Sequence, residues 1–204
     1  REHGLSEIGT QLTYYQVDTA EIRKFERQFT IIELESFFQN LIAGYLSWAK
    51  TLVKWEKLRD ESVRSLEFPF NNYRPGQREM AVDVYRTVKN GGQLLAHAAT
   101  GIGKTLAVIF TEVKAMAEEL NTKIFYLKAR TTGKIAAEKA LDELRNNQLK
   151  IKSLTITAKD KICFNSASVC NPEECEFARG YFDRINEALN DMFRQDAFTR
   201  TAVE

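Results

Sequence analysis

The stretch Gln93-Leu-Leu-Ala-His-Ala-Ala-Thr-Gly-Ile-Gly-Lys-Thr105 decides how this chain is read. A short apolar run, Leu94 to Ala96, leads into a glycine-rich turn that closes on lysine and threonine, and apolar residues recur periodically from Leu106 onward. That order predicts a buried strand over 93–97, a phosphate-cradling loop and a helix over 104–120. Glycines let the backbone turn its N–H groups inward, and the start of the helix presents its positive end to the same point. The general pattern opens on glycine; Ala98 stands there instead, with Gly101, Gly103, Lys104 and Thr105 in place. Amides of Thr100, Gly101, Ile102, Gly103, Lys104 and Thr105 then cradle a polyphosphate, Lys104 reaches its outer oxygens and the Thr105 hydroxyl holds Mg2+. The expected ligand is a nucleoside triphosphate; a plain glycine-rich turn is the alternative.

Working outward, Pro75 occupies the first position of a predicted helix over 75–89, with Met80, Val84 and Val88 inward and Gly91-Gly92 at its end. Downstream, Ile124 to Leu127 reads as a second strand, 134–146 as a helix and Ile151 to Thr157 as a third strand. Strands alternating with helices of this length predict an α/β fold with a parallel sheet covered on both faces. The sheet domain starts near residue 74. Past Thr157 a cysteine-bearing loop and a helical stretch from Pro172 to about Phe193 read as an excursion from it.

Upstream the signals are helical. Residues 10–17 have strand character and are expected as an edge or orphan strand, while Asp18 with Glu21 forms a capping box for a short helix ending near Phe29. Thr30 with Glu33 repeats the box. Leu34, Phe38, Leu41, Tyr45, Trp48, Leu52, Trp55 and Leu58 then recur at threes and fours, predicting one stripe along a helix from Ile31 to about Leu66. A break near Gly44 is the alternative, and the aromatics are expected in a core. Phe68-Pro-Phe-Asn-Asn72 reads as a linker.

Composition narrows the class. With 204 residues, 44% hydrophobic and 28% charged, the chain can bury a core, and a formal net charge of +1 gives no global pull on nucleic acid. No apolar stretch is long enough to span a bilayer and no signal region opens the chain, so no membrane partner and a cytoplasmic location are expected. A start at Arg1 and a stop within an apparent helix suggest a piece of a larger protein. Cys163, Cys170 and Cys175 are the three cysteines, and in an intracellular setting their clustering favours a metal or cluster over a disulfide, with zinc the runner-up. Asp160, Asp183 and Asp191 end no apolar strand and read as caps or solvated residues, so no second acidic ligand for Mg2+ is in view.

Four ordered segments carry a resemblance: Tyr73-Arg-Pro-Gly-Gln77, Ala99-Thr-Gly-Ile-Gly-Lys-Thr105, Phe125-Tyr-Leu-Lys-Ala-Arg-Thr131 and the cysteine segment ending Cys175-Glu-Phe-Ala-Arg-Gly-Tyr-Phe-Asp-Arg184. Together they resemble the iron-sulfur superfamily 2 DNA helicases of the Rad3/XPD/DinG group, bacterial nuclease-linked type, over roughly residues 68 to 204. The resemblance implies a RecA-like P-loop domain with a parallel sheet, a partial cysteine-bearing helical insertion and a helical N-terminal extension. It implies adenine recognition by Gln77 with Arg74 and Tyr73, and contact of Arg130 and Thr131 with the backbone of single-stranded DNA. Cys163, Cys170 and Cys175 become ligands of a 4Fe-4S cluster whose fourth cysteine lies further on in relatives. Lys159, Lys161, Arg179 and Arg184 could line a DNA path. Departures are Ala99 for proline, His97 near a usual Glu or Gln, and Lys128 for threonine.

The domains so implied are a linker or tail of an upstream nuclease domain over 1–67, the first part of a motor domain over 68–157 and a partial cluster domain over 158–204. The implied activity is ATP-driven translocation on single-stranded or forked DNA by the complete protein, acting as a monomer. This piece alone, lacking a second motor domain, is expected to be inactive. A DNA-binding module regulated by ATP or metal, and a non-helicase P-loop enzyme such as a kinase, are the other readings.

Overall fold

The computed structural model describes residues 4–129, 132–165 and 170–203, which form two compact units, 1–56 and 57–204. In the first, β1 (Glu7–Tyr15) and β2 (Ile22–Thr30) pair antiparallel from Glu7↔Thr30 to Tyr15↔Ile22. The expected helix over 18–29 is therefore a strand, and the strand over 10–17 is neither an edge of something else nor an orphan. Ile22, Phe25 and Phe29 are spaced by three and four, which imitates a helix, but β1 supplies facing partners: Phe25 lies opposite Leu12 and Phe29 opposite Ile8. Cross-strand pairs of this kind outweigh a local capping signal. Tyr14 meets Phe25 edge-on at 5.7 Å, and Arg27 lies 4.5 Å over the Phe29 ring.

The second capping box forms. The Thr30 N–H donates to the Glu33 carboxylate at 2.8 Å and the Glu33 N–H donates to the Thr30 hydroxyl at 3.2 Å, and the first of these holds the Glu33 carboxyl below its ordinary value. From there α1 (Ile31–Ser65) runs 35 residues without a break at Gly44. Its aromatic stripe is not core over its first half: Phe38, Leu41 and Tyr45 are exposed. Leu34, Trp48, Leu52 and Trp55 reach half-burial.

The second unit holds the core. Val63 and Leu66, at the end of α1, pack with Leu106, Ile109, Val113 and Met116 of α3 (Lys104–Met116) and with Ala140 and Leu144 of α4 (Thr132–Asn146), closed by Leu149 and Ile151. Between them in sequence, α2 (Gln77–Asn90) packs on α3 through a face carrying Ala81 and Val84. Lys114 of α3 donates to the carbonyls of Val63, Arg64 and Leu66 at 2.9, 3.1 and 3.2 Å, satisfying acceptors that the end of α1 leaves open.

The parallel α/β sheet and the RecA-like domain expected from the sequence are not what folds. The described residues hold seven helices and two small sheets, the antiparallel ribbon β1–β2 and a parallel pair of two-residue strands, β3 (Ser153–Leu154) and β4 (Ala197–Phe198). Runs 93–97 and 124–127 enter no ladder. Ile124 and Tyr126 pack against the core while Phe125 and Leu127 are exposed, and Leu95 is fully so. The core is closed helix on helix by α3, α4 and the end of α1, which leaves Ile124 and Tyr126 one side to pack on, 93–97 exposed, and neither run a strand to pair with. Of the third expected strand only β3 survives. Its pairing with β4 is fixed by Arg145, which donates to Ser153 at 2.7 Å and to the Asp196 carbonyl at 2.9 Å.

The cysteine-bearing stretch contains α5 (Lys159–Ile162) and α6 (Tyr181–Met192), with α7 (Arg200–Val203) last. Among the described residues no helix is long and apolar enough to cross a membrane.

Candidate nucleotide site

The site is built where the glycine-rich turn enters α3. Gly103, just before the helix, adopts φ 83° and ψ 33°, a left-handed conformation that favours glycine. A Cβ there would come within 2.3 Å of the Gln77 amide nitrogen, so the absence of a side chain also lets α2 approach. The first turn of α3 contains no acidic residue. Its leading N–H groups have no partner within the helix, which is the chemistry of an anion seat.

Three side chains fix the loop through its carbonyls. Lys104 donates to Ala98 and Ala99 at 2.9 and 2.7 Å, Arg74 donates to Gly101, and Gln77 donates to Gly103 at 3.2 Å. Gln77 is buried, and its amide oxygen accepts the Arg74 N–H at 3.0 Å. It is thus a clamp between the start of α2 and the loop, with one amide hydrogen and one lone pair left over. The Thr105 hydroxyl shares a 3.2 Å hydrogen bond with the Tyr126 hydroxyl.

Arg74, Gln77, Thr100, Gly101, Gly103, Lys104 and Thr105 all line one cavity of about 590 Å3. That volume suits a small-molecule ligand. Two predicted residues are elsewhere. Tyr73 stacks on Phe68 with ring centroids 4.0 Å apart, where burial raises its hydroxyl pKa, and Ile102 lines a separate hollow with His97 and Ala99. The cavity also gathers residues that sequence reasoning passed over: Phe70 and Asn72 from the linker, and Ala136, Lys139, Ala140 and Glu143 from α4. The last four recur at i, i+3, i+4 and i+7, which marks one helix face. That spacing was the available signal, though a lysine and a glutamate on a helix ordinarily read as solvated.

Arg130 and Thr131 lie outside the described residues. Lys128, before them, extends over the Tyr126 ring at 5.5 Å. Cys163, Cys170 and Cys175 are all free thiols. Lys159 donates to the Cys170 sulfur, and this bond, then the charge of Cys170 and more weakly of Cys163 and Cys175, raises the Lys159 pKa. Cys175 is buried and its thiol pKa is lowered by the Ala178 N–H, the Asn165 side chain and the Phe177 N–H, in that order. Three soft donors suit iron-sulfur or zinc. Their placement does not: among the described residues no three His, Cys, Asp or Glu side chains stand close enough to hold an ion. Arg179 and Arg184 donate to the carbonyls of Pro172 and Phe177, which ties them to their own loop.

Compared with protein-family models, with curated proteins and with solved structures, the chain matches none.

Proposed function

We propose that this chain carries the nucleotide-binding part of an ATP-dependent DNA helicase, with ATP hydrolysis and strand separation belonging to the complete protein. The observation that carries the nucleotide half is the convergence of Gly101, Gly103, Lys104 and Thr105 with Arg74 and Gln77 on one cavity at the start of α3. The DNA half rests on the four ordered segments that resemble iron-sulfur helicases.

In this reading ATP is held by the amides of the loop and the first turn of α3, while Lys104 exchanges its carbonyl partners for phosphate oxygens. The exchange is favourable because a charge-assisted bond to an anion replaces bonds to neutral carbonyls. Thr105 is the residue on this chain that would hold Mg2+: its hydroxyl lines the cavity and keeps a lone pair free of Tyr126. The ion, when bound, neutralises charge on the transferring phosphate.

Calorimetric titration of the chain with Mg-ATP, beside a Lys104→Ala variant, tests the nucleotide half. Binding that falls by roughly tenfold or more in the variant is the expected result, the loss of one strong charged contact. Equal affinity of the two proteins would overturn it. For the complete protein the expectation is hydrolysis stimulated by single-stranded DNA; phosphoryl transfer to a small acceptor, or DNA binding without hydrolysis, would select the kinase or the binding-module reading.

A further inference from the structure

The cavity that the glycine-rich loop lines is lined as well by α4, and none of the expectations drawn from the sequence gave that helix a role. Its face toward the cavity is Ala136, Lys139, Ala140 and Glu143. The two alanines are short and let a ligand come close to the helix. Lys139 is exposed and Glu143 half-buried, and neither side chain makes a hydrogen bond or ion pair to another described residue. Nor do they satisfy each other, although they stand four residues apart; lysine preceding glutamate is the weaker orientation for such a pair. Two opposite charges thus face one cavity unpartnered.

From this placement we infer that α4 is the second wall of the nucleotide site, with Lys139 binding the phosphate chain and Glu143 binding the ribose. The inference rests on the nucleotide reading above. Charge decides the assignment of roles. A triphosphate carries several negative charges, and both cations that line the cavity from the α2–α3 side already spend donors on loop carbonyls, Arg74 on Gly101 and Lys104 on Ala98 and Ala99. Lys139 supplies a further cation. A carboxylate on the same face would repel phosphate, so Glu143 must meet the part of the ligand that donates hydrogen bonds, and in a nucleotide beyond its base those donors are the sugar hydroxyls. Along the helix axis the two residues are roughly 6 Å apart, enough for a ribose and its phosphate chain to span both. Glu143 thus distinguishes a nucleotide from bare polyphosphate, and Lys139 strengthens binding of either.

The test is titration of the chain and of Lys139→Met, Lys139→Arg, Glu143→Gln and Lys104→Ala variants with Mg-ATP, Mg-2′,3′-dideoxy-ATP and Mg-tripolyphosphate. Lys139→Met is expected to weaken all three ligands about tenfold while Lys139→Arg retains most of the affinity. Glu143→Gln is expected to weaken ATP several-fold and not to weaken dideoxy-ATP or tripolyphosphate, whose phosphates lose a repelling charge. If Lys104→Ala abolishes binding while the α4 variants bind like the parent, the α4 assignment is overturned and the nucleotide reading stands. If the parent chain binds none of the three ligands, both fall. Equal loss of ATP and dideoxy-ATP on Glu143→Gln removes the ribose role. Far-UV circular dichroism on each variant separates lost contact from lost fold, and Lys139→Gln, expected to lose the same affinity, carries the test if the methionine variant does not fold.

Discussion

Gly103 is the residue on which the site turns, because it meets two demands at once: a left-handed backbone before α3 and room for the buried Gln77 amide. Gly103→Ala violates both. The backbone strain alone is of order 1–3 kcal/mol, and a urea denaturation series should show a loss in that range. Adding Gln77→Ala to that variant relieves the contact but not the backbone, so the double variant should stay less stable than the parent and bind nucleotide more weakly. Full recovery would mean that the left-handed conformation is not required. At this scale the sequence was informative: the loop residues were named from their pattern, and most of them line the cavity together. Gln77 was named for a different task, because a glutamine amide that can read a base edge is indistinguishable in sequence from one that clamps backbone. Lys139 and Glu143 were illegible for a similar reason, since only the position of the loop on the same cavity separates a cavity wall from a solvated face.

Among elements, α1 shows how its two ends are held differently. Its beginning is closed locally by Thr30 and Glu33, and its end is closed by Lys114 of a helix fifty residues on in sequence. The first was readable from spacing alone; the second depends on tertiary placement and was not. Lys114→Met keeps the aliphatic stem and removes the donor, leaving three carbonyls to find other partners. We expect a loss of about 1–3 kcal/mol in stability by thermal or urea melting, with α3 itself intact by circular dichroism. The ribbon was misread because Phe25 and Phe29, four apart, share a face in either a helix or a strand, and the facing strand, not the segment itself, selects one. The same competition explains the missing sheet: an apolar run states that it is buried or extended, not which neighbour it pairs with, and 93–97 and 124–127 have none.

For the whole molecule, backbone hydrogen bonding among the described residues is concentrated in the helices and the ribbon and is absent from the runs 93–99 and 123–128, although Ile124 and Tyr126 pack against the core. Among the described residues no backbone N–H of 93–99 or 123–128 donates to another backbone group, whereas α3 is a continuous hydrogen-bonded helix with seven buried residues. Amide hydrogen exchange read by mass spectrometry should therefore show 93–99 exchanging near the rate of free chain and 107–116 protected by orders of magnitude. Protection of 93–99 equal to that of α3 would contradict the unpaired state of this run. The Gly101–Lys104 turn accordingly joins slack polypeptide to a stiff rod. Immobilising each residue of the slack side costs on the order of 1–2 kcal/mol, so a ligand that must still the lead-in gives up much of its intrinsic grip. On the nucleotide reading proposed above, anything that stills the lead-in beforehand would tighten capture from a distance, without touching the ligand.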